Sequence, residues 1–100
     1  MKTTITEKDG KTIVAVQGEL DTDTSKIFQE DVEPLTEKKG LTVEMDLREL
    51  EYISSKAIRV LISFQQRILA QGGTLKVSGA QPAVCEIFDM TGLSRSFFAD

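Results

Sequence analysis

The chain has 100 residues, 40% of them hydrophobic and 28% charged, with two prolines and seven glycines. That makeup suits one globular domain and excludes a disordered tail or a fibrous repeat. A single cysteine, Cys85, excludes an internal disulfide, and the absence of histidine excludes serine–histidine pairs, cysteine–histidine pairs and histidine-ligated zinc. The formal net charge is −4, with twelve acids and seven bases in residues 1–50 and four acids and five bases in residues 51–100. No basic cluster is longer than Lys38–Lys39, so neither nucleic acid nor an anionic membrane is an expected partner. No apolar run approaches the length of a bilayer span, and Met1–Lys2–Thr3–Thr4 lacks the apolar stretch of a secretory signal. The expected setting is the cytosol, with no direct membrane insertion, and the expected partners are proteins.

In chain order, a first strand runs through Ile5 and is closed by Asp9–Gly10, a pair that favours a hairpin turn. The second strand, Thr12 to Val16, is apolar at Ile13, Val14, Ala15 and Val16, which predicts a central strand covered on both faces. Gly18 to Ser25 is dense in turn and N-cap residues and predicts a helix start. Ile27, Phe28, Val32 and Leu35 then recur at helical spacing, with Pro34 expected to kink or divide the helix before Gly40. Leu41 to Leu47 alternates strictly, placing Leu41, Val43, Met45 and Leu47 on one face of a strand.

Arg48 to Tyr52 reads as a connection into a second helix, about Lys56 to Ala70. Its polar stripe is Arg59, Ser63, Gln66 and Arg67, and its apolar side, including Ala57, Ile58, Leu61, Ile62, Phe64 and Ile68, belongs on the sheet. Gly72–Gly73 stops that helix. Thr74 to Ser78 predicts a strand with Leu75 and Val77 inward, and Pro82 opens a third helix carrying Val84, Ile87 and Phe88. Gly92 is its expected stop, Leu93 folds back on the last turn, and Phe97 and Phe98 cover the core. The order β-β-α-β-α-β-α predicts an α/β fold, one domain over residues 1–100, with a mixed sheet and helices packed against it.

Few residues offer chemistry. Asp21–Thr22–Asp23 has two acids, but a calcium loop needs further ligands, a turn glycine and a distal glutamate, and an aspartyl phosphoryl-transfer site needs more metal carboxylates. Capping of a helix explains these acids better. Ser54–Ser55 precedes a strongly periodic helix, so the pair can cap it, and one of its hydroxyls can also carry a regulatory phosphate. Lys56 beside them is either solvated or a partner for such a phosphate. Gly72–Gly73 lacks the lysine of a phosphate-binding loop, Cys85 lacks an activating base, and Tyr52 and the five phenylalanines are too dispersed to stack bases. No catalytic residue, metal site or cofactor is expected.

In their order and spacing these residues resemble the STAS domain of bacterial anti-sigma factor antagonists, nearly end to end. Gly18–Glu19–Leu20–Asp21 matches the turn after the family's second strand. Asp46–Leu47, Leu50 and Tyr52–Ile53–Ser54–Ser55 match the region that carries the regulatory serine, and Val60–Leu61 continues it. Gly73–Thr74–Leu75, Pro82–Ala83–Val84 and Ile87 to Leu93 match the last strand and helix. The family motif is commonly D-S-[ST]-G or S-S-A-G, which places Ser55 at the phosphorylatable serine. Lys56 replaces a small residue, adding charge and bulk, and Ala57 replaces glycine, giving up backbone freedom and room for a partner.

The resemblance implies a switch with no chemistry of its own. An anti-sigma factor serine kinase binds the unphosphorylated antagonist and releases its sigma factor, then phosphorylates the antagonist and frees itself. A PP2C-type phosphatase resets the cycle. Ser55 is then the switch, and Asp21, Thr22, Asp23, Thr24, Ser54, Lys56 and Arg59 form the partner-binding face. Negative charge on Ser55 beside the Asp21–Asp23 acids gives release an electrostatic cause. The alternative is a non-phosphorylated STAS scaffold or subunit module in a larger signalling or transport assembly, in which Ser54 and Ser55 only cap the helix; an enzyme or nucleotide-binding protein ranks third.

Overall fold

Asp9 and Gly10 both adopt positive φ, 53° and 79°, the left-handed pair that a two-residue hairpin turn requires. They join β1 (Lys2–Lys8) to β2 (Lys11–Leu20) in antiparallel register, with Ile5 opposite Val14 and Lys8 opposite Lys11. The computed structural model describes residues 1–91, so the expectations at Gly92, Leu93, Phe97 and Phe98 lie outside the described residues.

From β2 the chain enters α1 (Thr22–Val32), passes through a 3-10 turn at Glu33–Glu37 with Pro34 near its start, and returns as β3 (Thr42–Asp46). Pro34 divides the helix as expected, because proline has no N–H for the helical ladder. β4 (Leu50–Ile53), α2 (Ser55–Ala70), β5 (Thr74–Ser78) and α3 (Pro82–Thr91) follow. The sheet order is β1-β2-β3-β5, with β4 paired to β2 off that path. β1 is antiparallel to β2, whereas β2–β3, β3–β5 and β2–β4 are parallel, so the sheet is mixed as expected.

β4 corrects the expected element order, because the connection read over Arg48 to Tyr52 contains a short strand. β3 and β4 both follow β2 in the same direction. Ala15 pairs with Asp46 and, beyond an irregularity at Gly18/Glu19, Leu20 pairs with Ile53. The turn between them is closed by the Leu50 amide donating to the Leu47 carbonyl at 3.1 Å and the Gly18 amide donating to the Glu49 carbonyl at 2.9 Å.

The core is one-sided. Val14, Val16 and Leu20 of β2, Val43 and Met45 of β3, Leu50 and Ile53 of β4, and Leu75 and Val77 of β5 are buried beneath the helices. Ile13 and Ala15 on the other face are only half-buried, so β2 is central but covered on one side. Phe28 of α1 meets Phe64 of α2 edge-on at 6.1 Å between ring centroids, and each such burial contributes roughly 1.5–3 kcal/mol. Ile27 is 52% exposed although it falls in the apolar helical repeat with Phe28 and Val32; the inward stripe of α1 is Ser25, Phe28 and Val32. Leu41 and Ile87 are half-buried against the core, and Cys85 is half-buried with its thiol 3.7 Å from the Ala80 carbonyl.

Gly73 closes the α2–β5 turn. A Cβ there would collide with the Leu41 backbone carbonyl, so only glycine lets the strand start lie this close to the chain entering β3. None of the helices among the described residues is long and apolar enough to cross a membrane.

Candidate functional site

Two helices start side by side. Leu20 ends β2 and Ile53 ends β4, and these two residues are register partners on parallel strands. The next residues, Asp21 and Ser54, are the N-caps of α1 and α2. The Ser54 amide donates to the Leu20 carbonyl at 2.9 Å, which ties the two caps together. Asp21, Thr22, Asp23 and Thr24 therefore share one end of the sheet with Ser54 and Ser55. Carboxyl ends of parallel strands are where open α/β sheets commonly place their binding surfaces.

The α1 start is held by a reciprocal box. The Thr24 amide donates to Asp21 Oδ1 at 2.8 Å, and the Asp21 amide donates to Thr24 Oγ1 at 2.8 Å. Thr24 Oγ1 also lies 3.0 Å from the Glu19 carbonyl that accepts from it. The Thr24 backbone amide, helped by the Thr24 hydroxyl, holds the Asp21 carboxyl below the usual aspartate range. Asp23 lies in the same first turn and is exposed, as is Thr22. The acids thus serve as helix-end charges, as the sequence reading favoured. No group of three or more potential ligands for a metal occurs among the described residues.

At α2 the two serines divide the labour. Ser54 Oγ accepts from the Ala57 amide at 3.1 Å and caps the helix, while the Ile58 amide bonds the Ser54 carbonyl at 3.0 Å. Ser55 occupies the first helical position and is exposed. The sequence left both serines eligible to cap; the geometry gives the cap to Ser54. Ala57 is 0% exposed and points into the core. Its methyl group takes no space from a partner, contrary to the expectation drawn from the missing glycine.

Ser55 stands between two depressions. On one side Ser55, Lys56, Arg59 and Ser63 of α2 face Gln29 of α1. Neither Lys56 nor Arg59 makes an ion pair among the described residues, where the bridges are Lys11–Glu44, Arg48–Asp46 and Arg67–Glu33. On the other side lie Tyr52, Ile53, Ile87 and Met90, with Tyr52 43% and Met90 86% exposed. The sequence reading did not include Gln29, Ile87 or Met90 in this surface. Met90 lies off the Val84–Phe88 side of α3, and that mismatch was its available signal.

A mixed one-sided sheet, two adjacent helix caps and an exposed serine beside them define a small single domain of the α/β class. The chain matches the STAS domain family over residues 2–100 and belongs to it. It is 29% identical to the anti-sigma-B factor antagonist of Bacillus subtilis over 80 residues, covering 80% of this chain and 72% of that one. It is likewise 29% identical over 91 residues to the anti-sigma-B factor antagonist of Listeria monocytogenes, covering 90% of this chain and 80% of that one. The fold superposes on an anti-sigma-factor antagonist (STAS) domain protein from Planctomyces limnophilus with a TM-score of 0.86 at 16% identity, over 95% of this chain and 86% of that one.

Proposed function

We propose that this chain is an anti-sigma factor antagonist that acts in the cytoplasm by partner switching, with Ser55 as the switch. Unmodified, it binds an anti-sigma factor that is also a serine kinase. That kinase transfers the terminal phosphoryl group of ATP to Ser55 Oγ; the serine proton leaves, ADP departs and the complex dissolves. A PP2C-type phosphatase hydrolyses the ester and restores the binding form. Asp21, Thr22, Asp23, Thr24, Ser54, Lys56 and Arg59 make up the contact face around it.

The observation that carries this reading is the separation of capping from exposure. Because Ser54 caps α2, the Ser55 hydroxyl is not needed to hold the helix and projects where an enzyme reaches it. A phosphate at a first helical position sits near free amides and the positive end of the dipole, so modification need not unfold the helix. It changes the charge of the contact face by about −1.5 to −2. The names of the relatives support the same role.

The test is intact-mass measurement and site mapping on protein purified from its native host through growth and stress. Phosphate on Ser55 that is lost in Ser55→Ala is the expected result. Its absence under all conditions overturns the switch and leaves a constitutive STAS binding module.

A further inference from the structure

Arg59 differs from the other arginines among the described residues. Arg48 forks onto Asp46, with Nε 3.0 Å from Oδ1 and Nη2 2.7 Å from Oδ2. Arg67 forks onto Glu33, with Nη1 3.0 Å from Oε2 and Nη2 2.8 Å from Oε1. Among the described residues Arg59 has no carboxylate partner, and it opens onto the same depression as Ser55 and Lys56. Ser55 and Arg59 are four residues apart on α2, the spacing at which helical side chains meet.

Lys56 adds a second anomaly. The first turn of α2 carries no acidic residue, and Lys56 places a cation where the helix dipole is positive. A local electrostatic rule is broken at the residue following the switch serine, with no compensating ion pair among the described residues.

Both anomalies are resolved by one group. We propose that Lys56 and Arg59 form a cationic clasp that takes the phosphate of Ser55 in cis, so that modification creates an internal ion pair along the α2 wall of the depression. The guanidinium fork suits phosphate oxygens in the way the other two forks suit carboxylates, and the ammonium supplies a point charge beside it. This rests on Ser55 being the modified residue, and it refines how modification acts. The phosphate withdraws the two cations from any acidic group of the partner, so release proceeds by occupation of the basic depression as well as by repulsion.

The experiment uses the full chain with phosphoserine installed at position 55 during translation, and follows the phosphate by ³¹P NMR through its second ionisation. Nearby cations favour the dianion, so the clasp lowers that pKa from its ordinary value of about 6. In the Lys56→Gln/Arg59→Gln double variant it should rise by roughly half a unit at low salt, and high salt should remove most of the difference. Arg59→Lys, which keeps the charge and loses the fork, should fall between them. Amide spectra of these exposed-site variants check that the fold is intact. Coincident titrations of the parent and the double variant at low salt overturn the clasp. That result leaves partner switching standing, because repulsion alone can act. A native protein that never carries phosphate overturns the switch instead, and leaves this titration unaffected.

Discussion

The Ser54 amide donates to the carbonyl of Leu20, so the residue that caps α2 is bonded to the residue just before the cap of α1. Two helix starts are fixed to one strand end, and the serine that follows is held on a rigid edge. In the proposed function this fixed edge presents the hydroxyl to kinase and binding partner in one reproducible position.

The two serines should separate cleanly in unfolding experiments. Ser54→Ala removes the acceptor of the Ala57 amide and should cost about 1 kcal/mol, the usual value for a lost N-cap. Ser55→Ala touches an exposed first-turn position and should stay within about 0.5 kcal/mol of the parent. Urea denaturation of both variants measures this, and equal losses would contradict the assigned cap.

Asp21 gives a pH dependence. The bonds from Thr24 lower its carboxyl pKa in the folded chain below the ordinary value of 3.8. A group lowered on folding stabilises the fold above its unfolded pKa, and that stabilisation is lost as pH falls through the folded value. Asp21→Asn should therefore narrow the stability difference between neutral pH and pH below 3.8, without reversing its sign. The Thr24 amide shift, followed by NMR in the parent, should titrate at the lowered value.

Gly73→Ala tests the close approach at the foot of β5. The added methyl meets the Leu41 carbonyl, which belongs to backbone and cannot rotate away, and destabilisation of about 1–3 kcal/mol is expected. Gly10→Ala in the hairpin, with open space but positive φ, should cost about 1–2 kcal/mol from backbone strain alone. Thermal unfolding with a crystal structure of each variant would separate a moved β3 entrance from a strained turn.

Ser55→Asp places a carboxylate at the positive end of α2 and should leave stability within about 0.5 kcal/mol of the parent. Capture of the anti-sigma factor co-purified with the parent from its native host should weaken by roughly tenfold or more. Calorimetric titration is the measurement, and unchanged affinity would favour the constitutive module.

Much of the fold was legible because its signals are local. The Asp9–Gly10 turn, the alternation through Val43, Met45 and Leu47, and the division at Pro34 each follow from a few neighbouring side chains. β4 was not, since its buried residues Leu50 and Ile53 are three apart and follow no two-residue period. The resemblance put Asp21 and Ser54 on one face, but that omission hid the contact that joins them. Asp21 and Ser54 are brought together by the β2–β4 pairing, which no local pattern announces. Ile27 misled for a related reason: it adjoins the inward stripe of α1 but lies off it, and hydrophobicity alone does not choose between neighbours.

The turn between β3 and β4 acts as a length gauge for the surface at the two helix caps. Its span decides that Ile53, and not a neighbour, stands opposite Leu20. Were β4 to slip by one residue toward its end, Ser54 would take the strand position of Ile53, and Ser55 would become the cap. The slip would also carry the Glu51 carboxylate into the buried place of Leu50, an expensive exchange. The apolar register of a four-residue strand thus guards the choice of which hydroxyl caps α2 and which stays exposed. A one-residue deletion between Leu47 and Leu50 would put that choice at risk without altering any residue of the proposed contact face.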